Sequence, residues 1–326
     1  MSFERTGKVP IVDVGPLFTS SMKDKVALAE QVDAICRSDG FFYVTNHGIS
    51  PADLRAPFDA AERFFDLPLE KKMAVAMANT TCYSGYLPVM ERINDPALKG
   101  NYHEAFQFFG ENSVTQRPSA SLGGGNLWPE DLDDFRQPLL RHYAQLNELG
   151  DALASVFELA LRLQPGTLRS FFKVPLTFLR LLKYPSQEAS ASESGEIGIR
   201  PHTDNGAFTI LQQDAVGGLQ LINSDGSWLD VPPIEGTFVI NLGEMMKRWS
   251  DGIYHATPHR VINRSGRERY SVPFFMLPDY DAMVIPLVKN PSEFHEPVMH
   301  NTLAKDEYLT CGEILTRTWS RIYPSA

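Results

Sequence analysis

The sequence predicts an α+β fold with a mainly β core flanked by helices. From about residue 177, short β-branched and aromatic segments alternate with turns, which is typical of a sandwich or jelly roll. The first half has longer segments with helical spacing instead. The chain has 326 residues, of which 43% are hydrophobic, so it has the ordinary composition of a globular protein and enough apolar residues for a sizeable core.

Four segments have helical patterns. Residues 23–38 carry apolar side chains on one face. Ser50 precedes a proline and resembles the N-cap of a helix that reaches about residue 65. A stripe of apolar residues over 132–161 predicts a long buried helix, and residues 311–322 predict a final helix.

Short strands are predicted on both sides of the long helix. Two lie in the first half, at 11–14 and 41–44. The candidates in the second half are 178–184, 198–204, 208–213, 219–222, 228–231, 237–242, 259–262 and 270–276. Many short strands at this spacing indicate a sandwich or jelly roll.

Charge and cysteine usage exclude several classes of function. The formal net charge is -10, which disfavours binding to nucleic acid or to an anionic membrane surface. The three cysteines, Cys36, Cys82 and Cys311, are far apart and form no CxxC motif, which favours a reducing compartment. The N-terminus lacks an apolar signal region, and no run of about 18 apolar residues occurs. We therefore expect a cytoplasmic monomer that acts on a small molecule.

The first candidates for chemistry are His202 and Asp204. On a strand, residues two apart share a face, so both side chains can reach one metal ion. Two imidazoles and one carboxylate bind non-haem Fe(II) on one face and leave the other positions open. A His-x-Asp triplet alone is a weak signal, because such pairs also occur as ordinary structural contacts.

The third ligand is His255 or His259. Pro258 lies between them and disfavours a shared helix face, while on a strand they would be roughly 13 Å apart. His259 is preferred because it begins an apolar strand, and His255 stays open as the alternative. The remaining histidines show no comparable partner and are interpreted as structural or exposed: His47, His103, His142, His295 and His300.

Arg269 and Ser271 form a candidate carboxylate clamp. They share one strand face, and a guanidinium can bind a carboxylate through two parallel hydrogen bonds. Residues 263–267 are predicted to form a hairpin turn that places His259 opposite this strand. A clamp beside an iron site indicates a dicarboxylate co-substrate such as 2-oxoglutarate; the alternative is a solvated arginine.

Longer segments resemble the isopenicillin N synthase-like branch of the Fe(II)/2-oxoglutarate dioxygenases. In chain order they are GFFYVTNHGI (40–49), LRLLKYP (179–185), PHTDNGAFTILQQDAVGGLQL (201–221), VINLGEMMKRWSDG (239–252) and HRVINRSGRERYSVPFF (259–275). The resemblance covers roughly residues 8–290. It implies a distorted double-stranded β-helix, or jelly roll, with the N-terminal and long central helices packed around it.

The resemblance also implies the roles of individual residues. The implied iron ligands are His202, Asp204 and His259, and the implied co-substrate residues are Arg269, Ser271 and Tyr184. Many plant members have an asparagine where this chain has Leu182, so contacts near the iron are expected to differ. By position, four further residues are candidates for the substrate pocket, with core packing as the alternative: Tyr86, His103, Phe106 and Phe108.

The implied activity needs Fe(II), 2-oxoglutarate and O2. Such an enzyme hydroxylates, desaturates or cyclises a small organic substrate and releases succinate and CO2, and the family-level expectation is a substrate of secondary metabolism. One alternative is an Fe(II) oxidase that needs no 2-oxoglutarate, because isopenicillin N synthase itself retains the Arg-x-Ser pair. Another is a catalytically silent binding protein.

The expected organisation is one compact unit with four parts. Residues 1–120 are expected to form an N-terminal region of helices and strands, and residues 121–175 a long helix packed on the core. Residues 176–290 would form the double-stranded β-helix, and residues 291–326 a C-terminal helical region.

Overall fold

The structure is a computed structural model of the chain. It describes residues 9–19, 21–89, 101–111, 125–186, 197–223, 225–289 and 308–322. His295 and His300 lie outside the described residues.

The helices lie mainly before the β core. Those among the described residues are α1 (Met22–Ser38), α2 (Pro51–Phe65), α3 (Leu69–Ala74), α4 (Arg136–Ala160), α5 (Glu244–Trp249) and α6 (Cys311–Ile322), with short 3-10 helices at Gly15–Phe18, Met77–Asn79 and Arg169–Phe171. Ser50 caps α2 as predicted, since its Oγ accepts a hydrogen bond from the Asp53 amide at 3.2 Å. Helix α4 packs against both α1 and α2.

The strands form two sheets. They are β1 (Ile11–Asp13), β2 (Phe41–Thr45), β3 (Gly85–Leu87), β4 (Glu104–Phe109), β5 (Phe178–Tyr184), β6 (Ile199–His202), β7 (Phe208–Gln213), β8 (Leu219–Ile222), β9 (Trp228–Asp230), β10 (Phe238–Leu242), β11 (His259–Val261) and β12 (Arg269–Met276). The large sheet has the order β1-β2-β10-β7-β12-β5-β4-β3, and the small sheet the order β6-β11-β8-β9. Strands β1 and β2 are parallel, and the other pairs are antiparallel.

The large sheet separates an apolar core from a cavity. Because side chains alternate along a strand, Phe208 and Ile210 of β7 face the helices, while Thr209 and Leu211 line the cavity on the other side. The same alternation on β12 buries Val272 in the core against the helices. Polar residues can therefore collect on one face without interrupting the core.

This architecture confirms the predicted fold class, a mainly β jelly roll with flanking helices. The predicted hairpin at residues 263–267 is wrong: β11 pairs with β6 and β8, whereas β12 pairs with β5 and β7. Residues 263–267 therefore carry the chain from one sheet to the other and do not close a hairpin. The predicted strand 198–204 is also too long, because β6 ends at His202.

Candidate active site

His202, Asp204 and His259 come together at the small sheet. His202 ends β6 and lies directly across from His259 on β11, so strand register brings the two rings to 4.3 Å between centroids. The Nε2 atoms of His202 and His259 lie 3.7 Å and 3.9 Å from Oδ1 of Asp204. One ligand atom from each residue lies within 4.8 Å of the others, which suits a shared metal ion.

Backbone carbonyls set the tautomer of both imidazoles. Nδ1 of His202 lies 2.8 Å from the Arg200 carbonyl oxygen, and Nδ1 of His259 lies 3.1 Å from that of Thr257. A carbonyl oxygen only accepts, so each Nδ1 carries a hydrogen and each Nε2 is the ring atom turned toward Asp204. This donor set fits a divalent transition metal such as Fe(II).

One carboxylate oxygen of Asp204 is fixed and the other is available. Oδ2 accepts hydrogen bonds from Thr209 Oγ1 at 2.5 Å and from Asn241 Nδ2 at 2.7 Å. Burial disfavours the charged form of Asp204, but His259, His202 and the two hydrogen bonds outweigh it, so its pKa lies below the ordinary value. Asp204 is therefore an anion whose Oδ1 faces the imidazoles.

His202 is neutral at ordinary pH. About a third of its side chain is open to the cavity, at 32% exposure, yet the dense surroundings disfavour its charged form. This burial, together with the neighbouring His259, lowers the pKa of His202 to about 4. A neutral imidazole is the form that binds a metal.

His259, and not the alternative His255, joins this cluster. Within the described parts of the chain, no other group of three histidine, cysteine, aspartate or glutamate side chains has metal-ligand spacing. His255 precedes β11, and its amide donates to the Cys36 carbonyl at 3.0 Å. The preference for the strand histidine agrees with this geometry.

Arg269 forms a buried cationic centre in the same cavity. Its side chain is fully buried, and Nη1 donates to Ser271 Oγ at 3.2 Å while Nη2 donates to Gln213 Oε1 at 3.1 Å. Arg269 lies opposite Tyr184 in the β12–β5 pairing, and its guanidinium carbon lies 4.6 Å from the centre of the Tyr184 ring. Ser271 also donates to the Tyr184 hydroxyl at 3.4 Å. These neutral partners orient the guanidinium without cancelling its charge.

The cavity lies between the two sheets and has a volume of about 490 Å³. All six residues implied as iron or co-substrate contacts line it: His202, Asp204, His259, Arg269, Ser271 and Tyr184. Leu182 lies opposite Ser271 and lines it too, so an apolar side chain stands at the position where many plant relatives have asparagine.

The four candidates for the substrate pocket separate into two groups. His103 lines the cavity, and burial lowers its pKa to about 4. Phe106 and Phe108 are fully buried in the core cluster on the helix side, and neither is among the residues that line the cavity. Tyr86 belongs to the same core and donates a hydrogen bond to Glu104 at 2.8 Å. For these three residues the structure shows the core packing that the sequence left open.

Sequence reasoning missed several residues of the cavity. Arg180 lines it from the same face of β5 as Tyr184, so the two-residue period of a strand was a usable signal. Arg200 lines it beside His202. Thr209 and Asn241 reach Asp204 from β7 and β10, and this long-range contact left no local signal.

Comparison with known proteins decides the family. Residues 175–278 match the 2OG-Fe(II) oxygenase superfamily, and residues 9–131 match the family described as non-haem dioxygenase in morphine synthesis N-terminal. The 2-oxoglutarate-Fe(II) type oxidoreductase hxnY of Emericella nidulans is 36% identical over 288 residues, which cover 85% of this chain and 82% of the relative. The chain belongs to the 2OG-Fe(II) oxygenase superfamily.

Other members of the 2OG-Fe(II) oxygenase superfamily match along nearly the whole chain. Homoarginine-6-hydroxylase 2-ODD-C23 of Glycine max is 32% identical over 326 residues, with 94% of this chain and 96% of the relative covered. A full-length protein of Neurospora crassa, solved in complex with alpha-KG, is 25% identical, has a TM-score of 0.84 and is covered over 99% of both chains. The likeness therefore includes the helices as well as the β core.

This membership confirms the predicted Fe(II)- and 2-oxoglutarate-dependent oxygenase, with Fe(II), 2-oxoglutarate and O2 as its cofactors and co-substrates. It sets aside the catalytically silent binding protein. Within the described residues, no helix has the length and apolarity needed to cross a bilayer.

Proposed function

We propose that this oxygenase oxidises a C–H bond of a small organic substrate in the cavity between the two sheets. The observation that carries the proposal is the His202–Asp204–His259 cluster, which faces the same cavity as the buried Arg269 guanidinium. In this proposal the three clustered residues hold Fe(II). When bound, iron supplies the oxidising chemistry that couples decarboxylation of 2-oxoglutarate to oxidation of the substrate.

The charge of Arg269 suits the distal carboxylate of 2-oxoglutarate. Its guanidinium is buried and already oriented, so a carboxylate could bind without first ordering the side chain. Ser271 and Tyr184 carry hydroxyl groups next to the guanidinium and are proposed to complete this contact. Leu182 lines the same cavity with an apolar side chain.

The protein's own contribution is orientation and exclusion of water. His202 and His259 keep their Nε2 atoms toward the metal position through their carbonyl partners, and Asp204 supplies negative charge there. The surrounding walls are largely apolar, which strengthens electrostatic interactions inside the cavity. The cavity walls position the substrate, so they determine which C–H bond lies close to the metal position.

We further propose a cytoplasmic monomer. The three cysteines are buried and none of them forms a disulfide bond, which fits a reducing compartment. The proposed iron and co-substrate residues all come from one chain, so the site needs no second subunit. Light scattering coupled to gel filtration would test the monomer, and a dimer mass would contradict it.

The test of the site is an anaerobic titration of the protein with Fe(II) and then 2-oxoglutarate, followed by visible absorbance. A weak charge-transfer band that saturates with 2-oxoglutarate is expected. Asp204→Ala should abolish iron binding with the fold intact. Arg269→Ala should retain iron and weaken 2-oxoglutarate binding by about 10- to 100-fold.

Arg264→Ala is the matched control, because Arg264 is exposed and its substitution removes the same charge. Unchanged 2-oxoglutarate affinity in Arg269→Ala would refute the clamp assignment. Iron binding without the band in the unmodified protein would favour the oxidase that needs no 2-oxoglutarate.

A further inference from the structure

We propose that the substrate places an apolar ring against Phe178, Phe275 and Trp319, at the end of the cavity away from Arg269, and that Trp319 limits the size of that ring. The proposal rests on the proposed function, because it takes the metal position and the Arg269 clamp as given. It adds the chemical class of the substrate and a specificity-determining residue, neither of which follows from the iron cluster or from the clamp.

Strand β12 runs along the cavity from the clamp to the metal position. Arg269 and Ser271 lie at its start, and Phe275 lies roughly 20 Å further along the strand than Arg269. In the register with β7, Phe275 lies opposite Thr209, whose hydroxyl donates to the Asp204 carboxylate. Phe275 is therefore level with the proposed metal ligands. Since 2-oxoglutarate would lie between Arg269 and the metal, the end of the cavity at Phe275 is left for the substrate.

Two stacked aromatic rings form a wall at this end of the cavity. Phe178 of β5 pairs with Phe275 of β12, and their ring centroids lie 4.5 Å apart at an interplanar angle of 24°. Both side chains line the cavity. The guanidinium carbon of Arg180 lies 5.6 Å and 5.8 Å from the two ring centres, so Arg180 packs on this wall. A flat apolar group suits these rings, because aromatic contacts add to the gain from burying apolar surface.

Helix α6 supplies two more apolar side chains to this end. Leu315 and Trp319 are four residues apart, so they share one face of the helix, and both line the cavity. They belong to the same apolar cluster as Phe178. The start of α6 is fixed by a reciprocal cap, in which the Glu313 carboxylate accepts from the Thr310 amide at 2.8 Å and the Thr310 hydroxyl accepts from the Glu313 amide at 3.2 Å. This cap fixes the face that α6 turns toward the cavity.

Three aromatic rings hold the indole of Trp319 in place. Its ring centroid lies 5.0 Å from that of Tyr83, 5.9 Å from that of Phe109 and 5.7 Å from that of Phe178. Only 5% of the residue is exposed. An indole packed in this way cannot move aside for a larger ligand without losing these contacts. Trp319 therefore limits how far a substrate ring extends along the wall.

The experiment uses the protein loaded with Fe(II) and 2-oxoglutarate under anaerobic conditions, so that binding is measured without turnover. Isothermal titration calorimetry measures the affinity for neutral alcohols that carry an apolar ring. The probes are benzyl alcohol, 2-phenylethanol, 3-phenyl-1-propanol and 2-naphthylmethanol. Each phenyl alcohol is paired with its pyridin-4-yl counterpart, which has the same shape but buries a polar nitrogen, at a pH at which the pyridine is neutral.

At least one phenyl alcohol is expected to bind about 10-fold more tightly than its pyridyl counterpart, because this end offers no partner of matching geometry for the ring nitrogen. Trp319→Ala should open the end of the cavity. The affinity for 2-naphthylmethanol relative to benzyl alcohol should then rise by about 10-fold. Trp319→Phe should give an intermediate ratio, and it takes the place of the alanine variant if that variant does not fold.

Leu315→Phe is the opposite change, because it adds bulk on the same face of α6. It should lower the affinity for 2-naphthylmethanol relative to benzyl alcohol. Trp128→Ala is the matched control. Trp128 packs on Phe108 at 4.8 Å between ring centroids and is not one of the described residues that line the cavity, so its loss should leave the ratio unchanged.

Two results would overturn the proposal. One is that no phenyl alcohol binds more tightly than its pyridyl counterpart, including the case in which none binds. The other is that the ratio in the Trp319 variant fails to exceed the ratios in Leu315→Phe and in the Trp128 control. Each protein is first titrated with 2-oxoglutarate by visible absorbance. Absence of the charge-transfer band in the unmodified protein would refute the proposed function, whereas a normal band with either of these two results would refute the substrate class alone.

Discussion

At the scale of single residues, the two oxygens of Asp204 have different environments. Oδ2 accepts hydrogen bonds from Thr209 and Asn241, whereas Oδ1 faces the two imidazoles. A carboxylate held in this way cannot rotate to present both oxygens, so we expect it to bind the metal through one atom. Such outer contacts typically change metal affinity by 10- to 100-fold.

Thr209→Val should therefore weaken Fe(II) binding without altering the cavity wall much. Valine has nearly the shape of threonine but cannot donate to Asp204, so the carboxylate loses one of two restraints. We expect the dissociation constant for Fe(II) to rise by about 10-fold, measured anaerobically by competition with a chelator. Asn241→Ala should act in the same direction.

Thr237→Val is the matched control for this experiment. The Thr237 hydroxyl donates to the Ile234 carbonyl in the turn before β10 and has no contact with Asp204. It should leave Fe(II) affinity unchanged. Equal affinity in the Thr209 and Thr237 variants would show that Asp204 needs no restraint from β7.

At the scale of elements, the turn between β7 and β8 holds Arg269, the proposed carboxylate clamp. Gly217 and Gly218 both have positive φ, at 84° and 95°, a conformation that favours glycine. The Gly217 carbonyl accepts a hydrogen bond from Nε of Arg269, and the Gly218 carbonyl accepts one from the Ile262 amide at 2.9 Å. The turn thus joins Arg269 to the residue that directly follows β11, the strand of His259.

Gly218→Ala should destabilise the protein and weaken 2-oxoglutarate binding together. A Cβ at this position would lie 2.5 Å from the Ile262 carbonyl oxygen, so the backbone must move in addition to bearing an unfavourable φ. We expect a loss of about 2 to 3 kcal/mol in the free energy of unfolding. Denaturant unfolding measures the stability, and titration by visible absorbance measures the co-substrate affinity.

Gly226→Ala separates the effect of an unfavourable φ from the effect of close packing. Gly226 has a φ of 81°, but no atom lies within 4 Å of an added Cβ. The free energy of unfolding of this variant should fall by about 1 kcal/mol because of backbone strain, while its affinity for 2-oxoglutarate stays unchanged. If both alanine variants behave alike, close packing at Gly218 contributes nothing to the clamp.

Most elements could be predicted because their signals are local. Short apolar segments separated by turns predicted the strands 178–184 and 208–213 with the observed bounds, and the cap signal of Ser50 followed by proline predicted α2. The crossing of the chain between the two sheets at residues 263–267 could not be predicted, because a turn sequence does not say which sheet receives the next strand. Helix α5 was missed because its six residues are too few to show a period.

Prediction of the site was likewise limited to residues with a local signal. His202, Asp204 and His259 were found because residue type and family resemblance point to them. Phe106 and Phe108 were left open between pocket and core, since aromatic residues suit both and only the sheet's packing assigns a face. The contacts made by Thr209 and Asn241 depend on the positions of separate strands, which no local pattern encodes.

At the scale of the whole molecule, the large sheet separates the cavity that holds the candidate site from an apolar helical layer. A titratable group on the helix side is buried without serving the site. His142 of α4 is such a group, with 1% exposure, and its ring lies 6.4 Å from that of Phe238 on β10. Burial lowers the pKa of His142 to about 4, although the charge of Asp53 opposes the shift.

This depressed pKa predicts a loss of stability in mild acid. The unfolded chain binds a proton at His142 near the ordinary pKa of 6.5, whereas the folded chain stays neutral until about pH 4. The full stability is present above pH 6.5 and is lost progressively as the pH falls toward 4. Between pH 7 and pH 5, His142 alone should cost about 2 kcal/mol. The measurement is urea unfolding at both pH values, with a chelator present so that metal binding does not contribute.

Two substitutions separate titration from packing. His142→Phe and His142→Gln differ in polarity and should change the stability at pH 7 by different amounts, because one fills the core and the other buries an amide. Neither side chain titrates, so both should reduce the difference in unfolding free energy between pH 7 and pH 5 by the same amount, about 2 kcal/mol. A difference that stays as large as in the unmodified protein would assign the acid sensitivity to other groups and show that His142 can take up a proton without unfolding.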